Sequence, residues 1–266
     1  MLGIRSLTAG ILRTCALFSI WMCLGLSGPG VAAEVIRMRV TEFAPNYFMQ
    51  DGHWTGLDVE LAQAIVHEAG CEIEFQDLPW SRALSYMKSG GLDLMANLTR
   101  TPEREAFMAF IGPERLSTRV LIVKVENINL PIAGLDDLLT VAHQQNKPFG
   151  IQSDAKYSPE FDARLASDKV FAGVFDPVSQ GSLLAKKLVA GRDLGFFEDG
   201  NYAAYQLKHS PDFKGLAIHP YVLSTDPVFL GVRKSLDPAL LKKLEDAYQK
   251  LEKSGALEKI RLRWAP

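Results

Sequence analysis

From Val35 onward, segments whose apolar residues recur at every second position alternate with segments whose apolar residues recur at every third or fourth. This alternation constrains the fold more than any other feature. Strands joined by helices, not by two-residue hairpins, pair in parallel and need helices to cover the sheet. Residues 35–40, VIRMRV, alternate as a strand does, and 56–69 carries Leu57, Leu61, Ile65 and Ala69 at spacings of four before Gly70 stops it. Residues 72–78 alternate again, 80–88 reads as a short helix ended by Ser89-Gly90-Gly91, and 93–97 reads as a buried strand. A strand at 121–125 follows. Asn127-Ile128-Asn129-Leu130-Pro131 then loosens the pattern, and the first crossing between two lobes is expected there. A second series of segments runs through 136–139, 149–151, 159–166, 182–190, 194–197 and 202–208 to an irregular stretch at 220–227. A strand at 228–232 and a closing helix from Asp237, with Leu240, Leu244, Ala247, Tyr248 and Leu251 on one stripe, complete the chain.

Composition narrows the function classes. With 47% apolar and 23% charged residues, the 266-residue chain is of ordinary globular type and long enough for two medium lobes. A net charge of -2 shows no cationic excess of the kind that condenses on phosphate backbones, so no nucleic-acid partner is expected. Residues 1–33 hold Arg5 and Arg13 as their only charges, an apolar run from 15 to 26, and a small-residue end, Val31-Ala32-Ala33. That is the pattern of a secretory signal peptide, with cleavage expected before Glu34. An uncleaved anchor and, through Cys23, a lipidated terminus are the alternatives. After cleavage 27 basic and 31 acidic residues leave -4, and Cys71 alone remains of the three cysteines, so no intramolecular disulfide is expected. The expected compartment is the periplasm.

Several short motifs then fall in one order: Thr55-Gly56-Leu57-Asp58-Val59-Glu60-Leu61-Ala62, Leu78-Pro79-Trp80, Asp93-Leu94 and Thr99-Arg100-Thr101-Pro102-Glu103-Arg104. Ala190-Gly191-Arg192-Asp193, Gly231-Val232-Arg233-Lys234 and Ser254-Gly255-Ala256-Leu257-Glu258-Lys259-Ile260 follow. In this order and spacing the chain resembles the family 3 extracellular solute-binding proteins, the polar amino acid binding components of ABC importers. The resemblance implies an α/β fold of two lobes joined by two crossings, the type II periplasmic binding protein fold, with the ligand cleft between lobes. Lobe 1 is expected over 34–126 and 222–266, and lobe 2 over 127–221.

Arg104 is the first candidate contact. A planar guanidinium holds a carboxylate through two parallel charge-assisted hydrogen bonds, and the resemblance places this residue on a ligand's α-carboxylate. Thr99 stands where a hydroxyl assists, and Asn97 at a nearby contact position. Trp80 and Phe43 fall where aromatic rings sandwich the ligand side chain, with Tyr47 and Phe48 as alternative aromatic contacts. Arg82 is either a second cationic contact or a surface helix residue. The acceptor for a ligand ammonium is expected at Glu198, counted from Asp193, or at its neighbour Asp199. In the second lobe Gln152, Ser153 and Lys156 are candidate contacts, but Asp154 replaces a glycine of the family's anion-binding turn and is expected to repel an anion unless Lys156 balances it.

No Walker pattern is present, and His53, His67, His143, His209 and His219 show no metal-ligand spacing. No metal, cofactor or catalytic residue is expected. The resemblance implies a monomeric binding protein that closes over a small polar, carboxylate-bearing ligand and hands it to an inner-membrane ABC permease. A cyclohexadienyl dehydratase-like enzyme on the same fold, or a protein presenting its ligand to a separate sensor, are the alternatives.

Overall fold

A computed structural model describes residues 33–265; apart from Ala33, the expected signal peptide lies outside the described residues. Ten strands occur among them: β1 (Val35–Val40), β2 (Phe48–Gln50), β3 (His53–Thr55), β4 (Glu72–Asp77), β5 (Leu94–Leu98), β6 (Met108–Lys124), β7 (Phe149–Gln152), β8 (Phe175–Val178), β9 (Gly195–Asp199) and β10 (Leu216–Arg233). They alternate with the helices α1 (Leu57–Glu68), α2 (Trp80–Ser89), α3 (Pro102–Glu105), α4 (Leu135–Gln145), α5 (Pro159–Ser167), α6 (Lys169–Ala172), α7 (Ser182–Val189), α8 (Gly200–His209), α9 (Pro238–Lys253) and α10 (Ala256–Arg263).

Eight strands form one sheet in the order β4-β1-β5-β10-β6-β9-β7-β8, while β2 and β3 make a separate ribbon. The pairs β1/β4 and β1/β5 at one end, and β7/β8 and β7/β9 at the other, are parallel, as strand-helix-strand connections require. The middle differs from the expected all-parallel pairing. There β10 runs antiparallel to both β5 and β6, and β6 antiparallel to β9.

The two ends of the sheet carry separate cores. One gathers Ile36, Met38, Leu61, Ile65, Leu94, Leu230 and the α9 stripe Leu240, Leu244, Ala247 and Tyr248. Another gathers Leu121, Val123, Leu138, Phe149, Phe161, Phe171 and Phe197, and a third, on the same half of the sheet, Val120, Ile122, Leu184, Leu188 and Phe196. Residues 120–124 therefore pack in the second half, and the passage between halves lies inside β6, upstream of the crossing expected at 127–131. The return passage lies inside β10, through the stretch read as irregular. Register shifts between Ile218 and Val222, Val222 and Ser224, and Val228 and Leu230 break the period of two there without ending the strand, which is why its apolar pattern is lost in the sequence.

Local signals set the elements nearest the cleft. Asp237 caps α9 by accepting hydrogen bonds from the backbone N–H groups of Ala239 and Leu240, and Gly90 closes α2 in the left-handed conformation. Gly56, with φ 118°, lies against the loop 43–47, where the N–H groups of Leu57 and Asp58 donate to the carbonyls of Pro45 and Asn46 at 2.9 and 3.0 Å. A Cβ at this position would stand 2.5 Å from the Asn46 oxygen and 2.6 Å from that of Pro45. Both neighbours are backbone and cannot swing away. Gly56→Ala is expected to lower stability by about 2 kcal/mol or more, read as a fall in Tm of about 4 °C or more. An unchanged Tm would show that the loop is not held in this way.

Candidate functional site

A cavity of about 390 Å³ opens at the carboxyl ends of the parallel strands and is lined from both halves of the sheet. From the first half come Arg39, Phe43, Tyr47, Trp80, Asn97, Thr99 and Arg104. From β6 and the second half come Arg119, Gln152, Lys156, Tyr157, residues 179–182, Glu198 and Tyr202.

Arg104 is held by short-range structure. Thr101 caps α3, its Oγ1 accepting from the Arg104 N–H at 3.3 Å, and Pro102 opens the turn. The side chain is 4% exposed and donates from Nη1 to the Thr99 carbonyl at 2.9 Å and from Nη2 to the Asp154 carbonyl at 3.3 Å. Its nearest acids in sequence are engaged elsewhere, Glu105 with Arg100 and Glu103 with Lys156. No carboxylate among the described residues pairs with Arg104, and burial pulls its pKa down to about 10. The guanidinium therefore stays charged at neutral pH, with three of its five N–H groups free of protein acceptors.

Trp80 forms the wall beside it. The Arg104 Cζ lies 5.6 Å from the Trp80 ring centroid, and the indole Nε1 donates to the same Asp154 carbonyl at 3.2 Å. Phe43 stacks on Tyr202 across the cleft, with centroids 4.2 Å apart and planes 8° from parallel, and Tyr47 is tilted against it. Asn97 has φ 59°, its N–H donating to Glu114, and its Oδ1 is buried without a partner. Gln152 lines the cavity, its backbone N–H donating to the Tyr157 hydroxyl at 2.7 Å.

Four candidates are not brought to the cavity. Asp199 is fully buried beneath it as the cap of α8. Its Oδ1 accepts from the N–H groups of Asn201 and Tyr202, and its Oδ2 from Arg115 and Ser117 at 3.1 and 2.6 Å. Burial alone would raise its pKa, but Arg115, Arg119 and Ser117 outweigh that and hold the carboxyl below its usual range. No oxygen is left to meet a ligand. Arg82 is exposed on α2 and is not part of the cavity lining, and Ser153 lines a second hollow beside β7. Phe48 packs on Trp264 and Tyr205. Asp154 does not repel an anion as expected, because its carboxylate accepts from Ser81 at 2.9 Å, away from the cavity, and only its carbonyl faces Arg104. Lys156, expected to balance it, pairs instead with Glu103.

Glu198, the adjacent residue on β9, does face the cavity. It is 8% exposed, and its Oε1 accepts from Arg119 at 3.4 Å and from the Asp199 N–H at 2.9 Å. Burial pushes its pKa up to about 7, against the opposing pull of Arg119 and the Asp199 N–H.

Sequence reasoning missed Arg39, Arg119, Tyr157 and Tyr202. Arg39 reads as the outward residue of an alternating strand, yet it is only 7% exposed, with its Nε donating to the Leu78 carbonyl at 3.1 Å. Its place one residue before the carboxyl end of a central strand was the available signal.

The Glu198 carboxyl binds a proton more tightly folded than unfolded, so between its ordinary value near 4.5 and about 7 its contribution to stability falls as pH rises. Glu198→Gln removes the titration. In urea unfolding of ligand-free protein, the stability of the variant relative to the parent is expected to rise by at least about 1 kcal/mol from pH 5 to pH 8. A difference independent of pH would contradict the burial of an ionisable carboxyl at this site.

Comparison with known proteins agrees with this geometry. Residues 36–266 match the family model for bacterial extracellular solute-binding proteins, family 3. The arginine-binding extracellular protein ArtP of Bacillus subtilis is 24% identical over 96% of this chain and 95% of its own. A probable histidine-binding protein of Neisseria gonorrhoeae is 28% identical, covering 82% of this chain and 78% of that one. Among solved structures, an ancestral arginine-binding protein bound to glutamine superposes with a TM-score of 0.71 at 28% identity, over 86% of this chain and 97% of the other. The two-lobed α/β architecture is common to these neighbours, and this chain belongs to the bacterial extracellular solute-binding proteins, family 3.

Proposed function

We propose that the protein captures a small carboxylate-bearing, amino acid-like solute between its two lobes and delivers it to an ABC permease. The observation that carries this reading is Arg104, a buried guanidinium at the wall of a two-sided cavity with no carboxylate partner among the described residues. An unpaired buried cation is costly, and a ligand carboxylate offsets that cost only when it sits in this cleft. Trp80, Phe43 and Tyr202 supply flat apolar walls beside it, while Thr99, Asn97 and Gln152 provide polar neighbours.

Closure suits the contacts across the cleft. Trp80, Ser81 and Arg104 of the first lobe hydrogen-bond to Asp154 of the second, Phe43 stacks on Tyr202, and Gln206 donates to the Ala44 carbonyl at 3.5 Å on the other rim. Each contact lies away from the strands β6 and β10 that join the lobes, so flexing of those strands opens the cavity. A ligand touching both lobes shifts the population toward the closed form. Export through the leader at 1–33 places the mature protein, a monomer, in the periplasm, and no helix among the described residues is long and apolar enough to cross a membrane. The role is capture, without catalysis.

A thermal-shift and calorimetric panel of amino acids on residues 34–266 tests this. At 100-fold excess over Kd, a bound amino acid is expected to raise Tm by about 5 °C or more. Arg104→Ala is expected to weaken binding of every carboxylated ligand by about 100-fold or more, and Arg104→Lys to restore only part of it, since an ammonium cannot make the paired contact. Undiminished binding by Arg104→Ala would overturn the site.

A further inference from the structure

The inner walls of the cleft carry more positive charge than one carboxylate can neutralise. Arg39 and Arg104 both lie against Trp80, with Cζ atoms 5.3 and 5.6 Å from its ring centroid, so two guanidinium groups stand at one wall of the same cavity. Each is more than nine-tenths buried, and neither has a carboxylate partner among the described residues. Their protein hydrogen bonds go to backbone carbonyls, Leu78 for Arg39 and Thr99 and Asp154 for Arg104, which leave both positive charges standing. The opposite wall adds Arg119. Its partner Glu198 is the one buried carboxylate lining the cavity among the described residues, since Glu42 and Asp77 are exposed.

We infer that the cleft selects a ligand with two carboxylates, one held by Arg104 and the second reached by Arg39, and not the basic amino acids named for the relatives above. This inference rests on the proposed binding function and names the ligand class of that site. A ligand with a single carboxylate leaves one buried guanidinium without a counter-ion. A basic side chain would add a further cation to walls that already hold Arg39, Arg104, Arg119 and Lys156, with Glu198 engaged by Arg119 and Glu103 by Lys156. A second carboxylate answers the unpaired charge directly, and the Trp80 ring that both guanidinium groups approach offers an apolar surface to the short chain that joins the carboxylates.

The test compares glutarate, L-glutamate, L-glutamine and L-arginine by calorimetry on the purified protein at one ionic strength. The expected result is that glutarate or L-glutamate binds at least about tenfold tighter than L-glutamine, and that L-arginine is the weakest. Arg39→Met is expected to cut the preference for L-glutamate over L-glutamine by about tenfold, and Arg39→Lys to restore part of it; circular dichroism and ligand-free Tm report folding of both variants. Tightest binding of L-arginine or L-glutamine, with Arg104→Ala still abolishing it, would overturn this inference and leave the proposed function standing. Binding of none of the four, nor of any other amino acid in the panel, would overturn both. The selectivity of the unsubstituted protein decides the matter even if the Arg39 variants fail to fold.

Discussion

The antiparallel ladder between β6 and β10 sets the relation between everything else in the molecule. It runs from Leu216 opposite Lys124 to Arg233 opposite Met108, so its two strands serve first one core and then the other without a break. Parallel strands on either side present their carboxyl ends to the space between the cores, and the loops after β1, β4, β5, β7 and β9 carry the cavity walls. A two-sided cleft follows from this topology before any ligand chemistry is considered. The bulges in β10 fall where the strand passes from one core to the other, the region that must bend if the lobes are to part.

Charge is placed unevenly around that passage. Below the cavity, Arg115 bridges Asp58 at the start of α1 and Asp199 at the start of α8, each at 3.1 Å, and so ties a helix of one lobe to a helix of the other. Glu114 lies in the same buried group. Removal from water and the nearby Asp58 raise its carboxyl well above the usual range, which lets it stay neutral among other acids. In this lower layer the cation is paired with carboxylates. In the upper layer Arg39 and Arg104 face the cavity with backbone carbonyls and the rings of Trp80 and Tyr47 around them and no carboxylate partner among the described residues. The two layers differ in pairing: the lower cation joins a helix of one lobe to a helix of the other through two carboxylates, and the upper two have no carboxylate partner among the described residues.

Much of this was legible in the sequence. Arg104, Trp80, Phe43, Tyr47, Asn97 and Thr99 come from short contiguous motifs, where one turn of local structure determines which way a side chain points. Thr101-Pro102, for instance, is enough to start α3 and turn Arg104 inward. Glu198 and Asp199 show the limit of such reading. A count along the chain cannot say which of two adjacent acids at the end of β9 meets the cleft; that is decided by the cap of α8, which takes Asp199 together with Arg115 and Ser117 and leaves Glu198 to the cavity. Arg39, Arg119 and Tyr202 were missed for a related reason. They sit on separate strands and a helix start, and only the closed sheet brings them together. The first passage lies upstream of the stretch expected for it, and the second was read as irregular where the strand continues, because charged and proline-containing segments of β6 and β10 lack an apolar period yet stay hydrogen-bonded to each other.

The central claim is that the unpaired Arg104 guanidinium is the anchor for a ligand carboxylate held between the lobes. A crystal structure of the protein with a bound carboxylate ligand tests it most directly. The account predicts a carboxylate within hydrogen-bonding distance of the Arg104 guanidinium, with the rest of the ligand lying along Trp80 and Phe43. A ligand bound elsewhere, or one in this cavity whose carboxylate leaves Arg104 unpaired, would contradict it.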